Sequence, residues 1–367
     1  MTSVLVVMVA LLGTWVVSIA ALRLPGPVAK PVPDRWHRKS TPLTGGLALL
    51  AGFLAALGTA ALADHVDRRV AYVGLAAIAA YLVGLSDDEH WIGPRTKFAG
   101  QIAVAAATAT VIHPSWLPRA AALPIAVVVL VAAMNSFNFL DNIDGLAGGT
   151  AAIAAGTLAL TTIFVGGAGL QKLLPCAVAG AAVGFLPLNY RPSRPAALFM
   201  GDSGSLFLGL VVGASALLAT PAGAGGVSAT VVAPLLILAL PILDTSLVIL
   251  VRLAEGRPIW QGGRDHLSHR LVYVGLGERE AVAMLLMLAA VCAGAGVLVV
   301  AVDDALVTGA AAGAVLALLV ALGSRLALVS EASPVGLLPA FPERELLRQP
   351  QHAHTQGQSQ PDHAHAS

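Results

Sequence analysis

The sequence predicts an all-α fold: a polytopic integral membrane bundle of about 11 transmembrane helices, N-terminus outside and C-terminus inside. Three observations carry the prediction. Of 367 residues, 57% are hydrophobic and 11% charged, with a mean hydropathy of +0.82, whereas a soluble domain carries about 25% charged residues. The apolar residues fall in continuous runs of about 17 to 25, the length that crosses a bilayer, and they do not alternate with period two as barrel strands do. The basic residues segregate: with the N-terminus outside, all of the 21 Lys and Arg except Arg68, Arg69, Arg119 and Lys172 fall in inner segments, as the positive-inside rule requires.

Taken in order, the first run is 3–22. No positive segment precedes it, while Arg23 and Lys30 follow, so it reads as a span rather than a cleaved leader. The next runs are 43–63, 70–86, 97–112, 120–137, 145–165, 171–189, 203–221, 229–252, 280–301 and 306–328. Several are rich in Gly and Ala, which lets helix backbones approach closely in lipid. Even-numbered spans begin on the inner side, so their free N–H groups and positive dipole ends point there. Residues 1–329 read as one transmembrane domain. Residues 330–367 form a polar tail ending in QHAHTQGQSQPDHAHAS, which cannot bury a core and is expected to be a disordered cytosolic segment. Cys176 and Cys292 lie inside apolar runs and read as buried free thiols. A net charge of +1 gives no sign of a nucleic-acid partner.

Ionisable residues are costly in or beside a span, so their positions mark function. Asp87, Asp88, Asp141, Asp144 and Asp202 all sit at the inner ends of runs. Asp87 and Asp88 are adjacent, so only one of them need reach a shared site. Asp141 and Asp144, three apart, have the spacing of one face of a helical turn. Asp202 precedes a run and suits a helix N-cap. Asp244 must face the bundle interior, where it pairs with a base or supports a bound donor. Such a cluster of acids points to metal-dependent chemistry on a phosphorylated substrate at the membrane surface.

Five inner segments carry the polar chemistry: DRWHRKSTPLTGG (34–46), SDDEHWIGPRTKFAGQ (86–101), NSFNFLDNIDGLAGG (135–149), NYRPSRPAALFMGDSGSLFLG (189–209) and RDHLSHRL (264–271). In this order they resemble the polyprenyl-phosphate N-acetylhexosamine-1-phosphate transferases of glycosyltransferase family 4. These include the enzymes that start bacterial O-antigen, teichoic acid and arabinogalactan linkers, and the phospho-MurNAc-pentapeptide translocase. The resemblance implies a UDP-sugar donor, most simply UDP-N-acetylglucosamine, an undecaprenyl or decaprenyl phosphate acceptor, Mg2+ or Mn2+, and UMP as leaving group. It implies a multi-pass protein of the inner (plasma) membrane with a cytosolic active site, whose partners are these substrates, the bilayer and a second copy of the chain.

Residue by residue, the resemblance makes Asp202 of FMGD a metal ligand with Asp88 beside it. Asp87 positions metal or acceptor. Asn138, Asp141, Asn142 and Asp144 surround the nucleotide and diphosphate, with Asn142 tolerating a left-handed backbone in the turn. Phe199 stacks on uracil, and Asn189 contacts the nucleotide. Pro195-Ala196 follow Asn189 three residues later than in the family pattern, which makes Arg191 or Arg194 a substitute. Arg264, His266, His269 and Arg270 grip diphosphate or sugar, with Ser268 where many members carry a third histidine. Lys39, Thr44 and Lys97 complete the phosphate-binding set.

Two other classes fit less well. A secondary transporter places its ionisable residues near the midplane within inverted repeats, but here they crowd the inner ends and no repeat is visible. An intramembrane protease needs HExxH or GxGD; the first is absent and Phe199 occupies the first Gly position of the second.

Overall fold

The computed structural model of the chain describes residues 3–29, 40–63, 68–191, 193–219 and 226–329. Lys39 and the tail 330–367 lie outside the described residues. Helix α1 (Ser3–Ala21) leads into a short antiparallel pair, β1 (Val28–Ala29) and β2 (Thr41–Pro42), with Val28 opposite Pro42. There follow α2 (Gly45–Ala63), α3 (Arg68–Asp88), α4 (Pro94–Ala109), α5 (Arg119–Leu140), α6 (Leu146–Phe164), α7 (Leu170–Asn189) and α8 (Gly201–Leu218). A π-helical turn (Ser228–Val232) precedes α9 (Ala233–Ile237) and α10 (Ala239–Ala254). A short α11 (Leu267–Tyr273) and the long α12 (Glu278–Val302) and α13 (Ala305–Ala327) end the described chain.

Among the described residues, nine helices are long and apolar enough to cross a membrane. The fourth apolar run becomes α4, whose 16 residues reach only about 24 Å, short of the hydrocarbon thickness. Pro94 sets its start, since proline is favoured in a first helical turn. The run 229–252, expected as one span, is broken into two pieces bent by 63°. The cause is Pro241, whose ring collides with the carbonyl four residues back, at Ile237. Leu238 leaves helical geometry at φ −95°, ψ 12°.

Helix α8 is the axis of the bundle. Its membrane-length window is 83% buried, against 11% for α13 at the periphery, and it packs on α2, α3, α5, α6 and α7. Small residues permit this. A Cβ added to Gly84 of α3 would stand 2.3 Å from the Asp202 carbonyl oxygen, and one on Gly46 of α2 would stand 2.6 Å from the Gly204 nitrogen. The first turn of α8 is therefore pinched between two backbones, which fixes Asp202. Cys176 and Cys292 are buried free thiols, as the sequence predicts.

Candidate active site

The polar ends of α3, α4, α5 and α8 meet at Lys97. Its ammonium donates to Asp87 Oδ2 at 3.0 Å and to Asp202 Oδ2, and lies 3.4 Å from Asn138 Oδ1. Asn138 Nδ2 in turn donates to Asp202 Oδ1 at 2.9 Å and to Ser205 Oγ at 3.0 Å. The side chains of Asp87, Asp202 and Lys97 are 27%, 29% and 15% exposed, so the group is reachable yet poorly solvated. Two carboxylates this close repel strongly in a low dielectric, and Lys97 is what holds them together. One turn deeper, Asn135 donates to the buried Gln101 at 2.8 Å, and this second link fixes α4 against α5.

Asp88 faces away from this cluster. Its Oδ1 accepts the Asp202 N–H at 2.8 Å and its Oδ2 the Ser203 N–H at 3.0 Å. Helix α8 lacks a side-chain cap of its own, so a carboxylate from α3 supplies one. Asp202, which the sequence offers as the N-cap, lies instead inside the first turn, and its side chain is left for Lys97 and Asn138. Gly201 makes the turn at φ +68°, where an added Cβ would meet Asp88 Oδ2 at 2.7 Å.

The acid turn differs from the sequence reading. Helix α5 stops at Leu140, and Asp141 has φ −78°, ψ 50°, so Asp141 and Asp144 do not share a helical face. Nor is Asn142 left-handed; Gly145 takes that conformation at φ +85°. Asp144 Oδ2 accepts the Ala196 N–H at 3.0 Å. Asn189, 3% exposed, spans two loops, accepting from Gly145 N at 2.8 Å and donating to Leu198 O at 3.2 Å. Phe199 is half-buried, with its backbone tied to Pro42 and Gly45.

A second cluster forms around α11. Buried Asp244 accepts the Leu267 N–H at 2.7 Å and lies 2.8 Å from His266 Nδ1. This contact with a buried carboxylate orients the imidazole through Nδ1 and leaves Nε2 on the opposite edge of the ring. His269 stacks edgewise on His266 at 5.5 Å. Burial, then the neighbouring His266, pushes the His269 imidazole down to about 3, so it is neutral at pH 7 and not a cation. Arg252 and Arg257 both donate to Asp265. Burial raises the Asp265 carboxyl, but these two guanidiniums outweigh it and hold the group below its ordinary range.

Some predicted binding residues stand elsewhere. Arg270, 4% exposed, donates to Leu326 O at 2.8 Å and Ala327 O at 3.0 Å, closing the C-terminus of α13. Thr44 donates to Ala21 O at 3.2 Å, closing α1. Arg194 is exposed and Arg264 half-buried. Sequence reasoning missed Ser205, although it lies three residues past Asp202, one turn along the same face. It also missed Phe139, Arg252 and Asp265, for which only the fold gives a signal.

The oxygen donors suit a hard cation. Asp87, Asp202 and Asn138 already turn oxygens toward one ammonium, and Mg2+ is usually held by one or two carboxylates together with substrate phosphates and waters. Among the described residues no group of three or more His, Cys, Asp or Glu could hold a metal ion, so an ion here would draw its remaining ligands from substrate phosphates and waters.

Residues 70–220 match glycosyl transferase family 4. The chain is 30% identical over 293 residues to the "Probable undecaprenyl-phosphate N-acetylglucosaminyl 1-phosphate transferase" of Bacillus subtilis, covering 76% of this chain and 78% of that one. It is 32% identical over 311 residues to the decaprenyl-phosphate N-acetylglucosaminephosphotransferase of Mycolicibacterium smegmatis, covering 74% and 75%. A phospho-N-acetylmuramoyl-pentapeptide-transferase of Trichormus variabilis is 34% identical over a shorter 235 residues, 57% of this chain and 62% of that one.

Proposed function

The chain belongs to glycosyl transferase family 4, and from that premise we propose that it transfers N-acetylglucosamine 1-phosphate from UDP-N-acetylglucosamine to a polyprenyl phosphate, releasing UMP. The carrying observation is the convergence of Asp87, Asn138 and Asp202, from three helices, on Lys97 of a fourth. Relatives named for N-acetylglucosamine transfer match over a larger share of the chain than the muramoyl-pentapeptide enzyme does, which favours the simpler sugar.

In this reading an acceptor phosphate oxygen attacks the β-phosphorus of the donor. The bond from that phosphorus to the bridging oxygen breaks, and UMP leaves with the bridging oxygen. One phosphoanhydride forms as another is lost, so the step is nearly reversible. A phosphate monoester has its second pKa near about 6, so the acceptor is mostly dianionic and needs no strong base. Positioning and charge neutralisation supply the rate. Lys97 neutralises charge beside the phosphates, and Asn138 orients Asp202. Asp88 holds the first turn of α8 in place. His266, oriented by Asp244, offers Nε2 toward the donor, and Phe199 provides the face for uracil.

Asp87, Asp202 and Asn138 are the residues that would hold Mg2+: their oxygens face side-chain donors that can swing aside, whereas both Asp88 oxygens are tied to the backbone N–H groups that start α8. When bound, the ion would neutralise negative charge on the diphosphate. The segregation of basic residues supports a plasma-membrane protein whose site faces the cytosol.

The test is polyprenyl-phosphate-dependent UMP release by purified protein, with and without Mg2+, against a panel of UDP-amino sugars. Release with UDP-N-acetylglucosamine that is lost in folded Asp202→Ala is expected. No release with any sugar, or full activity in that variant, overturns the reading.

A further inference from the structure

The site has two halves. One is the acid–lysine cluster of α3, α4, α5 and α8; the other is the histidine segment that follows α10. Helix α10 sits beyond the 63° break, so the bend alone does not fix where the histidines stand. The turn after α5 touches both. On one side Asn138 binds Asp202, and Asp144 and Gly145 are tied to the segment before α8. On the other, Ser268 Oγ donates to Asn142 Oδ1 at 2.5 Å, across 126 residues of sequence. The remaining end of the Asn142 amide is also committed: Nδ2 donates to Phe139 O at 2.7 Å, so the carbonyl is aimed at Ser268. The Arg252 guanidinium stands 5.5 Å over the Phe139 ring, and the His266 ring meets the same ring edgewise at 5.9 Å.

We propose that Ser268 and Asn142 are positioning residues: their hydrogen bond is the strut that sets the histidine segment against the acid–lysine cluster. The inference deepens the transferase reading and rests on it for its kinetic effect. Neither side chain then acts on substrate. Ser268 is fully buried and Asn142 has both amide ends engaged, which accounts for Asn142 without a nucleotide contact. Phe139 reinforces the strut, because its ring reports to the same histidine that Asp244 orients. A displacement of about 1 Å in such a pair of groups costs on the order of a hundredfold in rate.

The experiment is a double-mutant cycle in the full chain with Ser268→Ala, Asn142→Ala and both together. It reads UMP release, and hydrogen exchange of the amides of 264–271. Each single variant is expected to lower kcat by about ten- to a hundredfold, with less than about a threefold change in KM for the UDP-sugar. The double variant should be no worse than the poorer single, since one bond is lost only once. Exchange across 264–271 should quicken in all three, while that at the start of α8 stays as in wild type. Losses that multiply in the double variant, or unchanged exchange in 264–271, overturn the strut. If wild-type protein releases no UMP, the transferase reading fails, and the exchange data still decide for or against the strut. If Asn142→Ala does not fold, Asn142→Asp is compared with Ser268→Ala at one pH low enough to protonate the new side chain, which then keeps both the acceptor and the donor; exchange across 264–271 that quickens as much as in Ser268→Ala also overturns the strut.

Discussion

Replacing Asp88 separates two roles that look alike in sequence. Its carboxylate accepts the N–H groups of Asp202 and Ser203 at 2.8 and 3.0 Å, and α8 has no other side-chain cap. In Asp88→Ala both amides lose their acceptor in a half-buried, close-packed corner. A hydrogen bond to a charged group contributes about 1.5–3 kcal/mol. Because one carboxylate makes both bonds, and water reaches the corner in part, we expect a loss of about 3 kcal/mol. For a domain above 150 residues this lowers the melting midpoint by several degrees, at roughly 2–4 °C per kcal/mol. Asp88→Asn keeps one acceptor and should lose about half as much. The assay is thermal unfolding in detergent beside UMP release titrated with Mg2+. The capping argument predicts a lower midpoint and lower kcat, with the Mg2+ concentration for half-maximal activity nearly unchanged. A wild-type midpoint combined with a tenfold higher Mg2+ requirement would refute it and make Asp88 a metal ligand.

Three further outcomes follow from the geometry. Lys97→Met leaves Asp87 and Asp202 facing each other without their shared cation; kcat should fall at least a hundredfold, in the range of a lost charge-stabilising donor, and steady-state kinetics on folded protein checks it. Arg270→Gln releases the α13 carbonyls and should cost about 2 kcal/mol of stability while KM for the UDP-sugar shifts less than twofold; a large KM change at unchanged stability would restore Arg270 to the binding set. His269 is held neutral in the fold, down to about pH 3, whereas unfolded chain takes a proton near about 6.5. Its contribution is therefore complete above pH 6.5 and erodes as pH falls toward 3, by about 2 kcal/mol at pH 5. Melting midpoints should drop between pH 7 and 5, and His269→Gln should flatten that drop.

Much of this protein is written locally. Apolar runs of membrane length, the segregation of basic residues, and the five polar segments in order identify a helical membrane bundle with acids gathered at helix ends. They do so because hydrocarbon penalises any other placement of charge. The same local signals name Asp87 and Asp202, the family resemblance adds Lys97 and Asn138, and these four, each within one turn of a helix terminus, meet. Spacing along the chain does not say which oxygen faces which donor. That Asp88 caps α8 while Asp87 turns to Lys97 depends on how α3 rotates against α8 once Gly84 lets the backbones touch. Likewise Arg270 and Thr44 carry the composition of phosphate binders, yet each closes the end of a helix distant in sequence. The break at Leu238 joins a local cause, Pro241, to a consequence only the bundle fixes, the place where the histidine segment comes to rest. Solvation energy is a property of each residue and so can be read from sequence; hydrogen-bond partnership is a property of pairs, and only packing assigns the pairs.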